Sequence, residues 1–284
     1  MRRLTCVLMA LLMLWTCALA EEEGLPEYDG PEWTFEVALA DIDEDLLRLA
    51  NSDSPLDASY EPEDLRSITA RKDDDDGNNI NDGLYLASGG TKMLRKIAFS
   101  AVSQMMAAAE SDGVILFLRT GYRSYSEQEK LYSRAEQRGD TSATQKAGEC
   151  DYQTGLAVTL VGKADRGSTL TTAFAETTEG QWLAKNAARY GFIFRYPEGK
   201  EDVTGYAWEP WHLRYVGTGV ASYITENNLT LEEFMEELNV AYDEFKNNGG
   251  DVEQATNSVR LPKGAVELET EGPDGDHEIT LFHD

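Results

Sequence analysis

"RYGFIFRYPEGKEDVTGYAWEPWHLRYVG", residues Arg189 to Gly217, holds two apolar, aromatic runs around a turn-rich middle. Phe192 to Tyr196 and Trp211 to Gly217 read as strands, because Gly and Pro bound them. Between the runs, Glu209 and His212 stand three apart, and Pro210 gives the backbone a reason to turn. A carboxylate and an imidazole so converged can act as general base and zinc ligand, the base deprotonating a metal-bound water. The spacing also suits a surface ion pair beside a packed Trp211.

Working outward, Gln181 to Tyr190 predicts a helix stopped by Gly191. "VILFL" (Val114 to Leu118) reads as a buried strand, and Ser126 with Glu129 fits a capping box opening a helix through Arg138. Met93, Ile97, Ala101 and Met105, with Leu94, Ala98, Val102 and Met106, form a stripe at helical spacing and read as core. Thr230 and Glu233 cap a last helix, ended by Gly249-Gly250. Val266 to Phe282 alternates around Pro273-Asp274-Gly275 as a hairpin. Helices around few strands, with no βαβ rhythm, predict an α+β fold: one domain with helices on a small, mainly antiparallel sheet. The expected division is an acidic, extended N-terminal arm over 21–83, the domain over 84–248, and a C-terminal tail with the hairpin over 249–284.

The start of the chain predicts export. Arg2 and Arg3 precede an apolar run from Leu4 to Trp15 and an Ala18-Leu19-Ala20 site, the pattern of a signal peptide cleaved after Ala20. That run is too short for a comfortable membrane span, and no later segment is apolar enough. Cleavage removes two of the 25 basic residues and none of the 52 acidic ones, moving the formal charge from −27 to −29. Such a charge repels nucleic acid and anionic lipid. Cys6 and Cys17 leave with the signal, so Cys150 is expected to be the lone mature thiol. The four aspartates from Asp73 to Asp76 lack calcium-loop spacing and read as a solvated loop. His277 and His283 have no partner at ligand spacing.

"GYRSYSEQ" (Gly121 to Gln128) joins a strand to a helix. Arg123 there offers a planar fork for a terminal carboxylate or a developing oxyanion, and Gln128 a neutral hydrogen bond. Arg123 equally suits a salt bridge from loop to core. Cys150 and Tyr152, two apart on an expected strand, share a face, with Asp151 facing away unless a bulge re-aims it.

"GYRSYSEQ", "QTGLAVTL", the Arg189 to Gly217 block and "LTLEEFMEEL", in this order, resemble the zinc D-alanyl-D-alanine carboxypeptidases of the VanY type (peptidase family M15). The arm and the hairpin resemble segments of such proteins too. The resemblance implies an extracytoplasmic peptidase fold acting on peptidoglycan stem peptides. Its zinc pattern, Ser-x-His-x-x-Gly-x-x-x-Asp, falls here on Cys150, Tyr152, Gly155 and Thr159. The third ligand and the base fall on His212 and Glu209, and Arg123 and Gln128 on oxyanion and substrate positions. Two of three zinc-ligand positions are thus substituted. A catalytic zinc takes about three imidazole, carboxylate or thiolate donors plus a water, and tyrosine and threonine hydroxyls are poor neutral donors. Two rescues remain: Cys150 as a thiolate ligand beside His212, or Cys150 as a nucleophile with His212 as its base.

The expectation is a secreted or cell-envelope protein without a cofactor. It would bind stem peptides or a similar small peptide through Arg123, with Gln128 and Cys150 as polar contacts and Trp211 as a wall. The alternatives are an active carboxypeptidase with an adjusted zinc site, and a non-catalytic module whose acidic arm and tail bind a protein.

Overall fold

The computed structural model describes residues 28–73, 81, 83–141, 144–259, 266–271 and 277–282, with the backbone alone at 257–259, 266–271 and 277–282. The expected signal peptide, residues 74–80 of the aspartate-rich run, the Pro273-Asp274-Gly275 turn and His283 lie outside them.

A four-stranded antiparallel sheet carries the site. Its strands are β3 (Phe117–Thr120), β4 (Ala157–Val161), β5 (Phe192–Phe194) and β6 (His212–Tyr215), in the order β3-β4-β6-β5. Before it, β1 (Leu65–Ile68) and β2 (Lys92–Arg95) pair antiparallel as a ribbon. The helices are α1 (Lys96–Ser111), α2 (Tyr125–Arg138), α3 (Thr178–Asn186), α4 (Glu201–Thr204), α5 (Thr218–Glu226), α6 (Leu231–Asn247) and α7 (Val252–Val259). At the C-terminus, β7 (Val266–Glu271) and β8 (His277–Phe282) pair as an antiparallel hairpin. The architecture is the α+β arrangement expected, helices on a small antiparallel sheet. No helix among the described residues is long and apolar enough to cross a membrane.

Two apolar clusters bury the elements. In one, α1 lays Ala98, Val102, Met105 and Met106 against Val158, Leu160, Phe192 and Leu213 of the sheet. In the other, Val220 and Ile224 of α5 and Phe234 and Leu238 of α6 enclose Val37, Leu39, Ile42 and Leu47. The segment before the ribbon is therefore anchored rather than merely draped: the Trp33 indole donates to the Val37 carbonyl at 2.8 Å and meets Phe245 edge-on.

Several boundaries differ from the sequence expectation. The stripe beginning at Met93 is a strand as far as Arg95, because Met93 and Leu94 pair with Ser67 and Arg66. Ile97, on that stripe, is 39% exposed, and the buried residues of α1 are Ala98, Phe99, Val102, Met105, Met106 and Ala109. The "VILFL" run enters the sheet only at Phe117. The capping box of α2 is Ser124 with Glu127, two residues earlier than Ser126 with Glu129. The Ser124 hydroxyl accepts from the Glu127 amide, and the Glu127 carboxylate accepts from the Ser124 amide. The α6 box, Thr230 with Glu233, forms as expected, and Gly191, at φ 78°, closes the turn before β5.

Candidate functional site

Strand alternation builds the floor of the site. On β4, Val158 and Leu160 face the α1 core, so Thr159 faces the opposite side. On β6, Leu213 enters that core while His212 and Arg214 take the other face. The register sets Thr159 opposite His212 and Ala157 opposite Arg214, which gathers polar side chains at the middle of a buried sheet.

The segment before β4 is not the strand expected from Cys150 onward. Cys150 precedes a 3-10 turn over Asp151–Thr154, closed by Gly155 at φ 69°. The turn rotates consecutive side chains instead of alternating them, so Cys150 and Tyr152 do not share a strand face. Asp151 is not turned away: it is fully buried beneath the site.

Tyr152 occupies the centre. Its ring stacks on the His212 imidazole, with centroids 4.4 Å apart and planes 14° from parallel. Its hydroxyl lies 2.5 Å from Thr159 Oγ1. Tyr196 closes the imidazole from another side, edge-on at 5.0 Å. Glu209 Oε2 is 2.8 Å from His212 Nδ1, so Pro210 does turn the pair together, and His212 is completely buried rather than part of a surface ion pair. Burial, with Glu209 nearby, pushes the Tyr152 phenol well above its usual range, which keeps it a neutral hydroxyl.

Beneath lies a layer that the sequence reading missed. Asp151, Arg195, His212 and Arg214 are each fully buried. Arg214 donates to Asp151 Oδ1 at 2.5 Å and, through its other terminal nitrogen, to the Leu46 and Arg48 carbonyls of the N-terminal segment. Arg195 Nε stands 3.4 Å from the same Asp151 oxygen, and both its terminal nitrogens donate to Glu232. Asp151 Oδ2 lies 3.8 Å from His212 Nε2. Burial raises the Asp151 pKa, but Arg214, Arg195 and His212 outweigh it and hold the carboxyl below its usual range. The available signal was an arginine inside each apolar run, "FIFRY" and "HLRY", since a buried guanidinium demands a buried carboxylate.

Arg123 rises at the pocket edge. Its NH1 donates to Gln128 Oε1 at 2.6 Å, and its guanidinium lies 5.0 Å over the Tyr152 ring. Among the described residues it has no carboxylate within ion-pair distance, so the alternative of a loop-to-core salt bridge is not what forms. Gln128 is 1% exposed, and its Nε2 donates to the Gln145 carbonyl. Both polar ends are used, which makes it a holder of Arg123. Cys150 departs from expectation: it is fully buried against Tyr152 and Ala157, away from the pocket lining. Burial, only partly offset by Arg123, pushes its thiol up to about 11. It is therefore a buried, neutral thiol near neutrality, a poor nucleophile as it stands.

The pocket above these groups measures about 440 Å³, and its lining includes Arg119, Arg123, Arg134, Arg138, Gln145, Tyr152, Thr159, Glu209 and Trp211. Trp211 forms part of its wall while resting on the α1-side core. The donors present do not fit a catalytic zinc. The Tyr152 hydroxyl is neutral and spent on Thr159, the Thr159 hydroxyl is spent on it in turn, and only His212 Nε2 stays free as a good donor, since Nδ1 is bound to Glu209. Among the described residues, no three His, Cys, Asp or Glu groups converge as a metal site would require.

Residues 91–218 match the family VanY: D-alanyl-D-alanine carboxypeptidase. Over 199 residues the chain is 37% identical to the putative carboxypeptidase YodJ of Bacillus subtilis (strain 168), covering 69% of this chain and 68% of that protein. The solved LdcB LD-carboxypeptidase, described for peptidoglycan recognition, aligns at TM-score 0.56 and 37% identity over 67% of this chain and 86% of that one. VanYB, solved in complex with D-alanine-D-alanine, aligns at TM-score 0.50 and 26% identity over 67% and 97%. The chain belongs to the VanY D-alanyl-D-alanine carboxypeptidase family.

Proposed function

We propose that this protein works outside the cytoplasm as a binder of peptides ending in a free carboxylate, peptidoglycan stem peptides above all, and does not cleave them by a zinc route. One observation carries the reading: the Tyr152 ring and its bond to Thr159 fill the floor where a metal and its ligands would stand, while Arg123 is held ready at the rim. A guanidinium with no carboxylate at ion-pair distance among the described residues, half-buried and fixed by a buried glutamine, suits a ligand carboxylate as its counterion. Trp211 offers an apolar wall to the adjoining methyl-bearing residues. The VanYB complex with D-alanine-D-alanine supports this class of peptide end.

Without a bound metal nothing lowers the pKa of water from about 16 toward 7, so Glu209 lacks a nucleophile to activate, and it instead fixes His212. Export follows from the basic, apolar and A-x-A start of the chain. Calorimetry with a synthetic peptide ending in D-Ala-D-Ala tests the reading. The wild type binds and Arg123→Ala does not, and neither releases D-alanine. Absence of wild-type binding, or release of D-alanine, overturns it.

A further inference from the structure

The pocket opens along one face of α2, and that face is basic. Lys130, Arg134 and Arg138 recur at four-residue steps, so they stand above one another on the helix. Leu131, Arg134, Arg119 and Arg123 line both the pocket and a neighbouring groove of about 390 Å³, whose walls add Lys92 and Lys130. The two are one continuous trough.

Among the described residues these cations form no ion pair, in a chain with 52 acidic residues against 25 basic ones, and Glu127 acts on Arg123 and Lys130 only at longer range. Elsewhere, Arg48, Arg71, Arg95, Arg195 and Arg214 each find a carboxylate. Among the described residues, none lies within ion-pair distance of Lys92, Lys130, Arg134 or Arg138. Arg119 donates to the Asp165 and Ser168 carbonyls at 3.0 and 2.9 Å, bonds that fix its guanidinium without neutralising it. The two carboxylates on the walls are engaged elsewhere: Glu127 caps α2 at Ser124, and Glu209 holds His212. Stacked like charges disfavour a helix, and a trough of one sign focuses potential on an incoming ligand.

A single terminal carboxylate needs only Arg123. Resting on the peptide-binding reading above, we infer that this trough is a second anion subsite and that the ligand is an acidic peptide. At least one further carboxylate, inside its chain, would lie against Arg134, Arg138 and Arg119. The face from Lys130 to Arg138 spans about 12 Å at 1.5 Å per residue. An extended peptide advances roughly 3.3–3.6 Å per residue, so the trough accepts a carboxylate a few residues before the terminus.

Two synthetic peptides ending in D-Ala-D-Ala test this by calorimetry on the full chain. One carries an interior glutamate with a free carboxylate, and the other carries the carboxamide. Arg134→Gln with Arg138→Gln is the variant, chosen because both side chains are exposed and unpaired, so folding is not at stake. The wild type should bind the free-carboxylate peptide at least about tenfold more tightly. The variant should lose that preference while keeping the affinity for the amide. Equal wild-type affinities, or a preference that survives in the variant, overturn the subsite and leave the proposed function standing. Binding of neither peptide overturns both. Capture of a polyglycerol phosphate at the trough, without discrimination between the peptides, reassigns the trough to phosphate polymers and also overturns the inference.

Discussion

The Tyr152 ring lies flat on the His212 imidazole, 4.4 Å between centroids, and its hydroxyl ends on Thr159, the cross-strand partner of His212. Three side chains thus close on one another where the family pattern would place three metal ligands. The hydroxyl pair and the His212 Nδ1 bond to Glu209 satisfy most of the floor, while His212 Nε2 faces Asp151 Oδ2 at 3.8 Å with neither atom hydrogen-bonded.

Because Tyr152 and Thr159 occupy the two substituted positions and face His212 in register, replacing both should rebuild a donor set. Tyr152→His with Thr159→Asp is expected to take up about one zinc per chain, measured by elemental analysis after dialysis. Failure of the double variant to bind zinc would mean that the backbone frame has shifted from that of a metal site.

Gln128 acts through Arg123. Gln128→Ala frees the guanidinium and strands the Gln145 carbonyl, at a cost of about 1–3 kcal/mol in stability. Affinity for a D-Ala-D-Ala peptide should fall roughly tenfold although Arg123 is intact. A purely structural glutamine would lower the melting temperature and leave the affinity of the folded protein unchanged.

The buried Asp151 joins two arginines that have few other carboxylates to meet. Asp151→Ala leaves uncompensated charge in the core and should destabilise the protein by about 3–5 kcal/mol, read by denaturant unfolding. Asp151 and Glu232 both have folded-state values held below the usual range. Their contribution is therefore fully present above the unfolded values of about 3.9 and 4.3 and disappears as pH falls through the lowered folded ones. Stability should drop on acidification below about pH 4, and Asp151→Asn should flatten that drop.

Burial and a thiol pushed up to about 11 make Cys150 inert. In the native protein at neutral pH, peptide mapping should find Cys150 unmodified by iodoacetamide, and fully modified after denaturation. Rapid native labelling would require an open, anionic Cys150.

The sequence made much of this site legible. The Thr230–Glu233 box, the Gly191 stop and the convergence of Glu209 with His212 all follow from local chemistry, because caps, glycine and proline act within a few residues. What stayed hidden is tertiary. Asp151 looked like an outward residue on a strand, because nothing local shows that a 3-10 turn rotates it beneath His212. Arg195 and Arg214 sat in apolar runs, but their shared carboxylate lies far away in sequence. Met93 and Leu94 fit helical spacing, and only the distant Ser67 and Arg66 make them a strand. Arg119, Arg134 and Arg138 face one trough only once α2 folds beside β3.

The most direct test is the metal content of the chelator-free wild type at neutral pH, measured with D-alanine release from a D-Ala-D-Ala peptide. The account predicts far less than one metal per chain and no release. One tightly held metal per chain, with turnover abolished by Glu209→Gln, would contradict it.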